Sequence, residues 1–74
     1  MIPLYKFSEK QEKILRHLVK RGHAMTGPML CEELEMVYIG VDTFAALMAR
    51  EYIRLTDQGY LATDAGRLRV SDVV

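Results

Sequence analysis

Cysteine is almost missing from this chain of 74 residues, with Cys31 standing alone. A lone thiol excludes an internal disulfide and a thiolate metal cluster, so the apolar core must hold the fold unaided. Also missing is any run of about 18 apolar residues, the length a bilayer-spanning helix requires. The opening Met1-Ile2-Pro3-Leu4-Tyr5-Lys6 lacks the basic-then-apolar layout of a secretory signal, and a cytoplasmic protein is the expectation. No phosphate-binding glycine loop, nucleophile elbow, zinc signature or carboxylate dyad is present. His17 and His23 have no further ligands at metal spacing, and Cys31 sits beside Glu32 and Glu33 rather than the cation a reactive thiolate needs. Neither an enzyme nor a cofactor nor a metal is expected.

Net charge is missing too, because ten Lys and Arg balance ten Asp and Glu. The balance is uneven along the chain. Residues 1–31 set Lys6, Lys10, Lys13, Arg16, Lys20 and Arg21 against Glu9 and Glu12, a net +4. Residues 32–51 set Arg50 against Glu32, Glu33, Glu35, Asp42 and Glu51, a net −4, and residues 52–74 balance. The basic surface thus falls on the first predicted helix and the acidic one on the middle of the chain. With 50% apolar and 27% charged residues, the composition is that of one small globular domain. Small domains without staples often gain stability by associating, so a homodimer is an expectation.

Residues 1–7 read as an N-terminal arm, where Pro3 withholds a ladder donor. Ser8-Glu9-Lys10-Gln11 has capping-box spacing and opens a first helix over 8–22. Ile14, Leu15, Leu18 and Val19 form its buried stripe, Phe7 packs at its base, and Gly22 ends it. After a short extended link, Thr26 caps a second helix over 26–36 that carries Pro28 in its first turn. Its buried residues are Leu30 and Leu34, joined by Met29 or Val37, while Glu32, Glu33 and Glu35 face solvent. The methionines Met25, Met29, Met36 and Met48 suit an irregular small core.

Val37-Tyr38-Ile39-Gly40 is the turn, unusually apolar for one. Gly40 or Asp42 caps a third helix over 41–51, burying Val41, Phe44, Leu47 and Met48 and presenting Asp42, Thr43, Ala45, Ala46, Ala49 and Arg50. A hairpin over 52–62 follows, with Ile53 and Leu55 on one side and Asp57-Gln58-Gly59 as its turn. Thr63 or Asp64 starts a C-terminal turn and tail over 63–74 that includes Leu68 and Val70.

The stretch from Leu47 to Arg67, with Tyr52-Ile53-Arg54-Leu55-Thr56, Gly59 and Thr63-Asp64-Ala65-Gly66-Arg67, resembles winged helix-turn-helix regulators of the multiple-antibiotic-resistance type. The resemblance covers roughly residues 8–70. It implies a mainly α fold of three helices with a small β-hairpin as a short wing, and a DNA-binding transcriptional regulator as the function. In that family the third helix enters the major groove and the wing touches the backbone or minor groove. On this chain, Thr43, Ala46 and Arg50 would then face bases, Arg54 and Gln58 would lie near phosphate, and Thr26 would donate to phosphate.

The acidic middle, the absence of Lys or Arg at the wing tip beside Asp57, and the apolar turn support a second expectation. In it the same fold serves as a protein-interaction module, an inhibitor or adaptor of the kind encoded by phages and mobile elements. Val37, Tyr38, Ile39 and Asp42 would make the contact.

Overall fold

Ser8 starts the first helix through reciprocal bonds. Its hydroxyl accepts from the Gln11 amide at 3.1 Å, and Gln11 Oε1 accepts from the Ser8 amide at 3.5 Å. The computed structural model describes residues 8–71; the arm at 1–7, with the expected packing of Phe7, and the tail end at 72–74 lie outside the described residues. Helix α1 spans Glu9–Arg21 and closes on Gly22, whose amide donates to the Leu18 carbonyl at 3.0 Å. Ile14, Leu15 and Leu18 are wholly buried, and α1 packs against the third helix, the returning strand and the last helix.

The link that follows pairs with the hairpin. Met25 and Tyr60 exchange backbone hydrogen bonds of 2.9 and 2.8 Å as an isolated antiparallel bridge, and Met25 is fully buried there. Thr26 then caps helix α2 (Gly27–Leu34), its hydroxyl accepting from the Met29 amide at 3.3 Å. This helix stops short of the expected Met36 because Glu35 adopts φ 57. The Met36 amide turns back to the Cys31 carbonyl at 2.8 Å, satisfying an end carbonyl in the manner of a Schellman cap.

Helix α3 (Val41–Ala49) begins at Gly40 with no side-chain cap, so Asp42 lies in its first turn rather than capping it. It ends before the expected Glu51, which takes φ 63 and turns the chain into the hairpin. Strands β1 (Ile53–Thr56) and β2 (Gly59–Ala62) pair antiparallel, with Ile53 opposite Ala62 and Leu55 opposite Tyr60. Gly59 has φ +121, and a Cβ there would lie 2.5 Å from the carbonyl carbon and oxygen of Met25. No other residue fits beneath that link.

The expected C-terminal turn is a fourth helix, α4 (Asp64–Ser71). A clasp at Thr63 sets its direction. The Thr63 amide donates to the Tyr52 carbonyl at 2.9 Å, its hydroxyl donates to the Glu51 carbonyl, and the Gly66 amide donates to that hydroxyl at 3.1 Å. The described chain is therefore mainly helical, with four helices and one two-stranded antiparallel hairpin.

The core gathers residues from every one of these elements, among them Leu15, Leu18, Leu30, Phe44, Leu47 and Ile53, with Val70 buried from α4. Phe44 stacks on Tyr60 with ring centroids 4.0 Å apart, joining α3 to the hairpin. Met36 and Met48 are half-buried against this core, as is Leu34.

Several residues expected inside face water instead. Val41 is exposed because it occupies the first position of α3, before the helix meets the core. Leu55 is exposed because β1 leaves the core after Ile53. Met29 is exposed in the first turn of α2, and Val37 lies beyond its shortened end.

Candidate nucleic-acid interface

Helical geometry decides what α3 presents. Phe44 and Leu47 turn inward, so the stripe opposite them runs through Asp42, Ala45 and Ala49, all exposed. Thr43, Ala46 and Arg50 share a neighbouring stripe and are each half-buried. The structure thus aligns the three expected base-facing residues on one flank of the helix, but it puts two alanines and an aspartate outermost. Ala45 and Ala49 were expected on the exposed face, and the periodicity of the buried residues places them at its centre. Arg50 also ends α3, its amide donating to the Ala46 carbonyl at 3.3 Å.

The hairpin residues divide. Gln58 is exposed in the turn, where its amide donates to the Thr56 hydroxyl at 3.1 Å. Asp57 is exposed beside it. Arg54 stands opposite Leu61 and shares a shallow groove of about 500 Å3 with Arg67, Glu51 and Asp64, so α4 supplies it with both a like and an opposite charge. Thr26 is exposed, and its hydroxyl oxygen is engaged in capping α2 while its proton remains a donor.

The basic surface of α1 is smaller than its composition. Arg16 pairs with Glu12 one turn away at 2.8 Å. Arg21 Nε and Nη2 both donate to Glu33 at 2.9 Å, and His17 Nε2 donates to the same carboxylate at 2.7 Å. The Arg21 hydrogen bonds, helped by His17, hold the Glu33 carboxyl down at about 2, and Glu33 in turn raises the Arg21 guanidinium above its ordinary value. Glu33 therefore does not simply face solvent, as its neighbours do; it fastens α2 to α1. Lys10, Lys13 and Lys20 remain exposed, and the spacing of three and seven residues sets them on one outward stripe of α1.

Of the residues named for protein contact, Val37 and Tyr38 are exposed at 102% and 70%, and Asp42 is exposed on α3. Ile39 is not available in the same way, because it turns inward at 7% exposure and joins the core. Cys31 is half-buried, and the His23 ring lies 3.1 Å from the Ala24 carbonyl. Among the described residues, no group of three or more His, Cys, Asp or Glu is placed to hold a metal ion, and no helix is long and apolar enough to cross a membrane.

No protein-family model, curated protein or solved structure matches the chain. What it does must be argued from its own geometry.

Proposed function

We propose that the protein is a small winged helix-turn-helix DNA-binding regulator of transcription, working in the cytoplasm. The observation that carries this reading is the Met25–Tyr60 bridge. It joins the link before α2 to the hairpin after α3, so the helix pair and the wing share one frame, the arrangement that docks a helix in the major groove with a wing beside it. The small side chains of Ala45 and Ala49 let the α3 backbone approach base edges closely, and their methyls suit thymine methyl groups. Thr43 and Arg50 on the flank donate to bases or phosphates, and Asp42 accepts from a cytosine amino group. Arg54, Gln58 and Thr26 contact the backbone.

Fluorescence anisotropy with a mixed-sequence duplex pool tests the reading. Affinity is expected to fall linearly with the logarithm of salt, and Arg50→Ala to weaken a selected site by about 1–3 kcal/mol. A folded protein that binds no duplex at low salt, with Arg54 and the α1 lysines intact, refutes it.

A second reading, a protein-interaction module on the same fold, is favoured by the exposure of Val37 and Tyr38. Large apolar side chains grouped in a surface turn mark a site that another protein covers.

A further inference from the structure

Beside α2 lies an open groove of about 570 Å3, lined by Pro28, Cys31, Met36, Val37, Tyr38 and Ile39, with Glu32 at its edge. The Tyr38 ring stands beside Gly40, where an added Cβ would meet its Cε2 at 3.5 Å, and it stays mostly exposed. Val37, also exposed, lines the groove next to it in the chain. A tyrosine offers a large contact area with few rotatable bonds, which favours it as an anchor.

The one charged residue among the described residues lining this groove is acidic. Glu32 lines it, Glu35 ends α2 and Asp42 begins α3; all three are exposed, and none joins an ion pair among the described residues. Among the described residues, no Lys or Arg lines it. The nearby Glu33 is the acid whose charge is already met, by Arg21 and His17 of α1.

We infer that the groove is a docking site for a protein segment that presents apolar side chains between lysines or arginines. The inference rests on the second reading above and names its partner chemistry. Nucleic acid does not suit this groove, since phosphate would meet the Glu32 carboxylate and, among the described residues lining it, no cation. Among the described residues, a second copy of the chain offers no such segment. The outward stripe of α1 supplies Lys10, Lys13 and Lys20, but it sets no large apolar side chain between them.

The test uses the full chain and three synthetic peptides. One has leucines flanked by lysines, one has the same leucines flanked by glutamates, and one has lysines spaced by serines. Binding is read by amide NMR shifts and by the rate at which N-ethylmaleimide alkylates Cys31, whose thiol borders the groove. The lysine–leucine peptide is expected to bind about tenfold more tightly than the glutamate–leucine peptide, the sum of a few surface ion pairs. It should shift amides of residues 31–39 and slow alkylation of Cys31. Tyr38→Asp should abolish both effects, and Glu32→Gln with Glu35→Gln should erase the preference for lysine while leaving apolar binding. All three side chains changed are exposed, and circular dichroism is the check that each variant is folded.

If both leucine peptides bind equally, the basic partner is wrong and docking at the groove stands. If no peptide protects Cys31 and Tyr38→Asp changes nothing, docking itself is wrong. Sedimentation that shows self-association lost on Tyr38→Asp assigns the groove to a second copy and overturns the proposal.

Discussion

Gly66→Ala sets helix propensity against packing, and the structure decides which wins. In an open helix, alanine is favoured over glycine by up to about 1 kcal/mol, partly by restricting the unfolded chain. At Gly66 a Cβ would fall well inside van der Waals contact of the Tyr52 carbonyl oxygen, 3.1 Å from its carbon and 3.0 Å from Leu15 Cδ1. The leucine methyl can swing aside. The carbonyl cannot, because it accepts from the Thr63 amide at 2.9 Å while the adjacent Glu51 carbonyl accepts from the Thr63 hydroxyl.

Helix α4 must therefore retreat by about 1 Å to reach an ordinary carbon–oxygen separation. That retreat loosens Val70 in the core and stretches the 3.1 Å bond from the Gly66 amide to Thr63. Overpacking costs about 1–3 kcal/mol and the lost capping bond about 1 kcal/mol, against a gain of at most about 1 kcal/mol. The net destabilisation is about 2 kcal/mol, a fall in Tm of roughly 8–16 °C for a domain of this size. Thermal melts by circular dichroism measure it, and Ala65→Gly, at the exposed neighbouring position, isolates propensity alone. A Gly66→Ala protein that melts at or above the parent temperature refutes the packing argument.

Two further outcomes are expected. Ser8→Ala removes the side-chain acceptor of the α1 capping box and should cost about 1 kcal/mol, seen as a lower urea midpoint at unchanged slope. The Glu33 carboxyl is held at about 2 in the fold against an ordinary 4.5; its contribution to stability is therefore complete above pH 4.5 and lost as pH falls towards 2. The gap in urea midpoint between parent and Glu33→Gln should close across that interval; a gap that stays constant would mean the clamp carries no charge-dependent stability.

The local signals were legible because each is settled within a few residues. Ser8 with Gln11, Thr26 with Pro28, and Gly22 decide hydrogen bonds inside one turn, and the elements they predict are present. Phe44, Leu47 and Ile53 were legible as core from period alone.

What escaped depends on where elements end and meet. Glu35 and Glu51 adopt positive φ without being glycine, so sequence rules carried α2 and α3 too far. Val41 and Leu55 match the apolar period yet are exposed, since α3 has not met the core at Val41 and β1 has left it at Leu55. On the candidate interface, the stripe of Thr43, Ala46 and Arg50 was legible, but its rotation onto the flank follows from how Phe44 and Leu47 seat against the core. The bond from Glu33 to Arg21 and His17 joins residues far apart in sequence, and no local pattern announces it.

The Met25–Tyr60 bridge also divides the hairpin into a part that belongs to the fold and a part that does not. Gly59 is the last residue pressed beneath the link, and Asp57 and Gln58 lie outboard of it, exposed, in a turn that Thr56 closes by pairing with Gly59 and by its hydroxyl. Residues inserted between Asp57 and Gln58 would lengthen the arm without crossing the fulcrum, at a loop-closure cost that grows slowly with length. Reach and charge can thus change at this tip without any change to the core behind it.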